Sequence, residues 1–444
     1  MKIGLEIHLQ LPTRSKMFCP CPTTGEGPNT SVCPTCLGFP GSRPRVNREA
    51  LRKGLCIARF LDCEVPEITW FSRKTYFYPD LPKNFQITQY DSPIGERGRF
   101  EFQEGGVRIT RVHLEEDPAK VRRVGKAGEE VSLVDHNRSG IPLVEIVTEP
   151  DLRSPAQARA FLTDLLIELR HLVGLTAGDE QTVRVDANIS VGKERVEVKN
   201  IMGLRNLERG LKFEALRQRK LLKAGKRVVR ETRRFDEDRK VTLSARKKEM
   251  EEDYGYIGEP DLGIFHIRAM AESLTLRETP LQRSRRMADQ YSVPYSMVRQ
   301  VALTSWKLTD LMESLMEKRT PKEVIPWVTG PLSSLKEELG GLEDLDRLEL
   351  LVIKALDGEI TDTEAERQIQ ALLRSEERGE GGSEPGLVEL INDLIERNPG
   401  IVEDFRGNEK AANHLIGRVM RECGGSFSSQ EVVETVRREL EKRL

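Results

Sequence analysis

The stretch from Ile3 to Leu11 restricts the fold more than any other part of the chain. Its apolar residues occupy every second position, and they are Ile3, Leu5, Ile7, Leu9 and Leu11. A period of two predicts a strand with one buried face and one polar face. Glu6 and His8 lie two residues apart on the polar face, so a carboxylate and an imidazole point the same way. Such a pair holds a divalent metal, acts as general acid and base, or belongs to the wet outer face of a sheet.

Four later segments repeat this pattern of one apolar and one ionisable face. They are Val107–Glu116, Ile141–Val147, Thr182–Val191 and Arg195–Asn200. In the third segment Arg184, Asp186 and Asn188 alternate with apolar residues. One solvated face is ordinary, but several strands that carry mixed carboxylate, imidazole, amide and guanidinium groups favour a functional site. We therefore predict an α+β fold with an antiparallel sheet whose polar face carries the chemistry.

Four of the seven cysteines form a C-x-C and C-x-x-C set. They are Cys19, Cys21, Cys33 and Cys36, whereas Cys56, Cys63 and Cys423 stand alone. The first strand begins almost at Met1, which leaves no room for a secretion signal. In such a chain, paired short spacings favour a tetrahedral zinc site over disulfides. Four thiolates leave no open coordination position, so we expect this zinc to be structural.

Composition restricts the class of protein further. Charged residues make up 32% of the chain and hydrophobic residues 38%, against averages of about 25% and 45–50%. No apolar run approaches the roughly 18 residues of a membrane span, so we expect a cytoplasmic protein without membrane contact. The net charge is only −2, and any RNA binding must therefore come from local basic surfaces. The length of 444 residues suggests about three domains.

The order of predicted elements gives the domain boundaries. Helices are predicted over Asn47–Leu61 and after Ser154, a good N-cap. Trp70–Tyr90 is predicted to be an ordered loop, whose aromatic and basic residues either meet a nucleotide or RNA or pack onto the sheet. From about Thr279 only helical spacing remains, and Ser375–Pro385 reads as a flexible linker. We predict one domain over 1–278, a helical domain over 279–374 and a tail domain over 385–444.

The tail helices are rich in basic residues. A solvated helix surface is one interpretation, and contact with RNA phosphates is the other. The residues concerned are Arg406, Lys410, Arg418, Arg421, Arg437, Arg438, Lys442 and Arg443.

The chain contains no phosphate-binding glycine loop, no dinucleotide fingerprint and no Gly-x-Ser-x-Gly nucleophile motif. Its remaining chemical groups are carboxylates and histidines on a metal-friendly sheet face. These groups suit phosphoryl transfer, where catalysis is largely positioning together with magnesium.

A series of ordered motifs makes the chain resemble the GatB/GatE family of tRNA-dependent amidotransferase proteins nearly end to end. The motifs are Gly4-Leu5-Glu6-Ile7-His8, Arg73-Lys74 with Tyr76-Phe77-Tyr78-Pro79-Asp80, His113-Leu114-Glu115-Glu116-Asp117, Pro142 to Asp151, Asp186-Ala187-Asn188-Ile189-Ser190, Lys199-Asn200 and Glu231-Thr232-Arg233-Arg234-Phe235. The resemblance extends to a helical domain and a YqeY-like tail. GatE carries a large insertion between its cradle and helical domains, and Ile257–Thr279 leaves no room for one. The GatB branch is therefore preferred.

The resemblance implies a "cradle" α+β domain that uses ATP and Mg²⁺ to phosphorylate the side-chain carboxylate of Glu-tRNA(Gln) or Asp-tRNA(Asn). Ammonia then attacks the acyl phosphate. It also implies two partner proteins of the same complex. One is the amidase, or A, component, which supplies the ammonia through a channel, and the other is a small C component that ties the amidase to this chain.

The resemblance further implies which residues act. It assigns Glu6, His8, Glu116 and Glu145 to magnesium, and Lys74 to the site or the channel lining. Strand parity instead places His113 and Glu115 on the polar face, and a bulge before Pro118 would reconcile the two assignments. Pro118-Ala119 departs from the family pattern and changes the local loop. The four cysteines are absent from some members of the family.

Two functions of other classes remain open. One is a metal-dependent hydrolase that uses Glu6 and His8 on a small molecule, and it would turn over without ATP or tRNA. The other is a non-catalytic tRNA-binding scaffold, in which the cysteine loop and the basic tail matter and the carboxylate face does not.

Overall fold

The structure is a computed structural model that describes residues 1–125, 131–175, 183–245, 255–335, 339, 345–377, 387–397, 401, 405, 412–422 and 429–443. The chain divides into two compact units, Met1–Leu303 and Thr304–Leu444. No helix of these described residues is long and apolar enough to cross a membrane.

The first unit is built on an extensive β-structure. Its strands are β1 Lys2–Gln10, β2 Ile68–Trp70, β3 Ser72–Thr75, β4 Phe85–Thr88, β5 Gly95–Phe102, β6 Gly105–Glu116, β7 Lys120–Val124, β8 Val131–Asp135, β9 Pro142–Thr148, β10 Arg184–Ser190, β11 Val196–Met202, β12 Glu231–Asp236, β13 Val241–Ser244, β14 Gly255–Gly258 and β15 Ile264–His266. The large sheet runs β13-β12-β11-β10-β1-β9-β6-β4-β3-β14, with β5 paired to β6. β15–β2 and β7–β8 form two small separate sheets.

Strand β1 lies in the middle of the large sheet and confirms the predicted alternation. Its apolar residues Ile3, Leu5, Ile7 and Leu9 are at most 1% exposed. It pairs antiparallel with β9 on one side and with β10 on the other. Among the described strands of the large sheet, all pairings are antiparallel except β11 with β12. The predicted α+β class is therefore confirmed.

The helices up to Thr304 are α1 Pro34–Leu37, α2 Arg48–Phe60, α3 Pro155–Val173, α4 Leu204–Lys223, α5 Arg268–Glu272, α6 Pro280–Tyr291 and α7 Tyr295–Thr304. Residues of α2, α3, α4 and α5 share one hydrophobic core with the apolar face of the sheet. As predicted, the Ser154 side chain accepts a hydrogen bond from the backbone N–H of Gln157 and caps α3. Phe161, Leu162 and Leu165 of α3 are fully buried in one core with the apolar residues of β1.

The second unit is helical, as its sequence predicts. Its helices are α8 Trp306–Lys318, α9 Pro321–Thr329, α10 Pro331–Ser334, α11 Asp346–Leu356, α12 Asp362–Glu377, α13 Leu387–Glu396, α14 Ala412–Glu422 and α15 Ser429–Glu441. Helices α13, α14 and α15 share a core that includes Ile391, Leu415 and Val436. Most of the predicted linker, together with Arg406, Lys410 and Cys423, lies outside the described residues.

One sequence prediction is wrong in this part of the fold. Trp70–Tyr90 is not a single loop, because β3 and β4 occupy its ends and β2 ends at Trp70. Each of these strands has only three or four residues. Such strands are too short to show periodicity. β3 and β4 pair with each other, but β2 and β3 also pair with β15 and β14, which lie far along the chain.

Candidate functional site

Three neighbouring strands bring a histidine–carboxylate cluster together on the polar side of the sheet. His8 of β1 lies opposite Glu145 of β9, and Glu145 lies opposite His113 of β6. Glu115 follows His113 by two residues and points to the same face. Residues directly opposite each other on antiparallel strands have Cβ atoms about 4.5–5.5 Å apart, so the register alone juxtaposes these side chains.

The polar atoms of this cluster are in contact. His8 Nδ1 lies 3.3 Å from Glu115 Oε1 and 3.8 Å from Glu145 Oε2, and His113 Nε2 lies 3.2 Å from the same Glu145 oxygen. All four side chains belong to residues less than 10% exposed. One ligand atom from each of His8, Glu115 and Glu145 lies within 4.8 Å of the others. We call these three residues the carboxylate cluster.

Charge in the carboxylate cluster favours a cation. Burial opposes ionisation of Glu145, but His113 and His8 nevertheless hold its pKa well below the usual range. Burial also opposes ionisation of Glu115, but the hydrogen bond with His8 and the charges of His8 and His113 together lower its pKa. Burial lowers the pKa of His8, but Glu145 and Glu115 raise it, and the net effect is a rise. Two ionised carboxylates and an imidazole fit a divalent cation, which would take the place of the proton on His8.

Glu6 extends the acidic face beside the carboxylate cluster. It shares the polar face of β1 with His8, and its Oε1 accepts a 3.1 Å hydrogen bond from Asn188 Nδ2. Burial, with Glu145 and Asp186 nearby, raises the pKa of Glu6 to about 7. Glu6 therefore takes up a proton near neutral pH unless a cation balances the site.

Glu116 does not lie in this cluster, and the magnesium role that the family resemblance implies for it stays a prediction. Its two carboxylate oxygens lie 2.5 and 2.6 Å from Lys83 Nζ, and Oε1 also accepts a hydrogen bond from the N–H of Ile87. The β6–β9 ladder continues regularly through Glu115 and Glu116, because its register shift lies further back, between Ile109 and Arg111. Without a bulge before Pro118, strand parity holds and Glu115 faces His8.

Lys74 lies on β3, opposite Gln86 of β4 and Tyr256 of β14. Strand β4 separates β3 from β6 in the sheet. The role expected of Lys74 stays a prediction.

The four predicted cysteines do converge. One sulfur from each of Cys19, Cys21, Cys33 and Cys36 lies within 4.8 Å of the others. Tetrahedral zinc with Zn–S bonds of about 2.3 Å needs sulfurs about 3.8 Å apart, so the set fits zinc. The backbone N–H of Cys33 donates to Cys36 Sγ at 3.2 Å. A hydrogen bond from Cys19 lowers the pKa of Cys36 to about 4, so one thiolate is already stabilised. We call this set the cysteine cluster.

The cysteine cluster adjoins the Lys83–Glu116 ion pair. Lys16 is fully buried, and its Nζ lies 3.7 Å from Cys36 Sγ and 3.1 Å from the carbonyl oxygen of His136. A small cavity is lined by residues from both groups, among them Cys19, Cys36, Lys83 and Glu116. The loop that carries the cysteines therefore forms one wall around the buried ion pair.

Sequence reasoning left several of these residues without a role. His113 and Arg184 stand on strands that it identified, and Lys83 lies in the segment interpreted as a loop. The signal for His113 and Arg184 was the two-residue alternation, which assigns a face but not a neighbour. The identity of the neighbours needed the strand order.

Comparisons with known proteins agree on one family. The model described as "GatB/GatE catalytic domain" matches residues 1–272, and that described as "GatB domain" matches residues 310–440. Three relatives are each named as the B subunit of an aspartyl/glutamyl-tRNA(Asn/Gln) amidotransferase. The protein of Methanospirillum hungatei is 40% identical over 100% of this chain and 98% of its own length. That of Methanoregula boonei is 38% identical over 97% and 96%, and that of Natronomonas pharaonis 36% over 99% and 97%.

Proposed function

Because the chain belongs to the GatB/GatE family, we propose that its carboxylate cluster is the place where the aminoacyl group of a misacylated tRNA is activated. The protein functions as the B subunit of an Asp/Glu-tRNA(Asn/Gln) amidotransferase, a ligase that converts misacylated tRNAs to Asn-tRNA or Gln-tRNA. The observation that carries the proposal is the buried convergence of His8, Glu115 and Glu145.

The proposed reaction has two steps. An oxygen of the Asp or Glu side-chain carboxylate attacks the γ-phosphorus of ATP, the bond from that phosphorus to the β-phosphate oxygen breaks, and ADP leaves. The nitrogen of ammonia then attacks the carbonyl carbon of the acyl phosphate, phosphate leaves, and the nitrogen loses a proton. The product is the side-chain amide of Asn-tRNA or Gln-tRNA.

The protein's part in the first step is to hold charge in fixed positions. His8, Glu115 and Glu145, with Glu6 beside them, would hold Mg²⁺, which supplies neutralising charge for the phosphates. The family-based prediction also assigned Glu116 to this metal, and its contact with Lys83 argues against that role. The cluster stands on the central strands of a sheet, so its members keep their spacing while the substrate binds.

The test is co-expression of the chain with its amidase and small partner proteins, followed by assay of each mischarged tRNA for ATP- and glutamine-dependent amidation. Amidation of neither tRNA would overturn the proposal. In the same complex, Glu6→Ala and His8→Ala should nearly abolish tRNA-dependent ATP cleavage even with ammonium supplied. Glutaminase activity and tRNA binding should persist. If a variant failed with glutamine but amidated normally with ammonium, the substituted residue would instead belong to the channel that carries ammonia.

The partners we propose follow from this chemistry. Activation of a carboxylate consumes ammonia, which the glutaminase (A) component would supply, and the small C component would hold the other two together. The substrates we propose are Asp-tRNA(Asn), Glu-tRNA(Gln) or both, at a cytoplasmic site of translation. The names of the relatives include both tRNAs and describe one part of a multi-protein enzyme, which supports this assembly.

For the cysteine cluster we propose one structural zinc. Four sulfur ligands saturate a tetrahedral ion and leave no position for a substrate. Metal analysis of protein purified without chelator should find about one zinc per chain. A metal-free preparation with all four cysteines reduced would contradict the assignment.

We further propose that the three predicted domains have separate roles and that the tail over 385–444 binds the tRNA body. Helix α15 buries Val432, Val436 and Leu440 and leaves Arg437 and Arg438 exposed, with Lys442 close behind its end. Buried Glu439 contacts Lys442 and Arg438, and the three basic side chains lie close together at the C-terminal end of the helix.

Reversal of these three charges, Arg437→Glu, Arg438→Glu and Lys442→Glu, should raise the KM for tRNA and flatten the salt dependence of binding. Lys226→Glu, Arg227→Glu and Arg230→Glu, at exposed positions between α4 and β12, together form the control for altered net charge. Unchanged tRNA affinity in the tail variant would remove this role.

A further inference from the structure

Arg184 is a cation in the middle of the site whose hydrogen bonds are incomplete. It lies on β10 directly opposite His8 of β1, on the polar face of the sheet. Its Nε is buried and has no hydrogen-bond partner among the described residues. Burial lowers its pKa, but the carboxylates of Asp186, Asp117, Glu115 and Glu145 raise it further, so the guanidinium is charged.

Other arginines of the same unit are fully engaged by carboxylates. Arg138 makes a two-pronged contact with Asp117, and Arg73 makes one with Glu259 at 2.7 and 2.9 Å. Such forked pairs use the planar donors of the guanidinium and fix its position. Arg184 has no carboxylate oxygen within 4.0 Å in the part of the chain that the structure describes. Carboxylates that lie further away balance the positive charge of Arg184, while its N–H donors remain available for a ligand.

An available guanidinium beside a carboxylate cluster meets a chemical need. The phosphoryl group that is transferred carries negative charge, and Glu115 and Glu145 repel it. A divalent cation offsets part of this repulsion, and an arginine fork that binds phosphoryl oxygens offsets more. Leaving a buried guanidinium N–H without an acceptor is costly, and an incoming oxyanion removes that cost.

We propose that Arg184 donates hydrogen bonds to oxygens of the γ-phosphoryl group of ATP as it passes to the aminoacyl carboxylate. This role rests on the proposed activation chemistry at the carboxylate cluster. Arg184 forms no covalent bond and gives up no proton. It is a catalytic residue because it touches the group in transfer, and it acts through fixed positive charge.

The first test measures nucleotide binding in the assembled complex with Mg²⁺ by calorimetry. The probes are adenosine 5′-(β,γ-imido)triphosphate, which has a γ-phosphoryl group, and ADP, which lacks one. Arg184→Met should weaken binding of the triphosphate about tenfold to a hundredfold and leave ADP binding unchanged. The control is Arg108→Met, which removes an exposed guanidinium of β6 that is paired with Asp151, and it should affect neither nucleotide.

The second test measures tRNA-dependent ATP cleavage. Arg184→Ala should lower kcat about 10²–10³-fold, and added guanidinium should restore part of it, whereas ammonium should not. A structural counter-charge would instead lower the melting temperature of Arg184→Met without changing the ratio of triphosphate to ADP affinity. An arginine that binds the aminoacyl carboxylate would raise the KM for mischarged tRNA and leave triphosphate affinity intact. Either result overturns the proposal.

The wild-type controls distinguish the role of Arg184 from the activation chemistry on which it rests. If the wild-type complex binds neither nucleotide in the presence of mischarged tRNA, the activation chemistry itself is wrong. If the wild-type complex prefers the triphosphate and Arg184→Met keeps that preference, only the role of Arg184 is wrong.

Discussion

The cysteine cluster and the carboxylate cluster both gather ligand groups, but the chain builds them in opposite ways. All four cysteines lie within residues 19–36, so a single segment between β1 and α2 carries them. His8, Glu115 and Glu145 are more than a hundred residues apart at their widest and meet only because β1, β9 and β6 are neighbours. The first cluster depends on local spacing, and the second depends on the register of a whole sheet.

Their chemistry differs in the same sense. Four thiolates complete a tetrahedral zinc, whereas two carboxylates and an imidazole leave positions for phosphate oxygens and water. A saturated site suits a structural role, and an unsaturated site leaves room for a substrate. Substitutions in the cysteine cluster should therefore lower stability, whereas substitutions in the carboxylate cluster should lower turnover.

The largest effect should come from the carboxylate cluster. Glu115→Gln removes a ligand charge, and we expect amidation with ammonium to fall about 10²–10³-fold. Binding of Mn²⁺, measured by electron paramagnetic resonance, should weaken as well. Glu116→Gln is the matched control on the same strand, and it should keep Mn²⁺ binding because Glu116 faces Lys83. If Glu116→Gln, and not Glu115→Gln, lost the ion, the site would follow the family-based grouping.

The next effect should come from the cysteine cluster. Cys36→Ser should abolish zinc binding, because the metal needs all four sulfurs and its binding is coupled to local folding. The melting temperature should fall by about 2–4 °C for each kcal/mol lost. Differential scanning calorimetry measures the fall in melting temperature, and metal analysis measures the loss of zinc. The affinity for Mn²⁺ should change little. A Cys36→Ser protein that keeps stoichiometric zinc would contradict the assignment.

A smaller effect should appear when pH is changed. Glu6 has a pKa of about 7, so below this pH a cation must displace its proton, and affinity for Mn²⁺ should fall by up to about tenfold per pH unit. Glu6→Gln should bind Mn²⁺ more weakly at pH 8 and show a flatter pH profile. Zinc retention should not follow this profile. Calorimetric titrations from pH 6 to 8 give both curves, and parallel curves for wild type and Glu6→Gln would refute the assignment of Glu6.

The smallest effect should come from Gly38, which ends α1 next to the cysteines. Its φ is +71°, and an added Cβ would lie 2.4 Å from Lys83 Cγ. Gly38→Ala should cost about 1–3 kcal/mol through backbone strain and this contact, with zinc retained. Chemical denaturation measures the loss. Gly41→Ala is a useful control, because Gly41 also has a positive φ but an added Cβ would meet nothing within 4 Å.

The difference between the clusters also decides how much of each could be read from the sequence. The cysteines were predicted completely, because their spacing of two and three residues implies proximity by itself. For the carboxylate cluster, alternation assigned Glu6, His8 and Glu115 to a polar face, and Glu116 entered only through the family resemblance. Partners across strands could not be predicted, because register is set by tertiary packing. The contact between Lys83 and Glu116 was missed for the same reason.

The central place of β1 has a consequence for synthesis on the ribosome. The strand is made before both of its partners, and β9, the earlier of the two, begins at Pro142, which follows Lys2 by 142 − 2 = 140 residues. At about 5–20 residues per second, an apolar strand then waits roughly 7–28 s for its neighbour. Cys36 is made 36 − 10 = 26 residues after Gln10, so the metal loop is complete within roughly 1–5 s. We therefore expect the yield of active protein to depend on the supply of zinc and on chaperone binding during that interval. This dependence is separate from the stability of the folded protein.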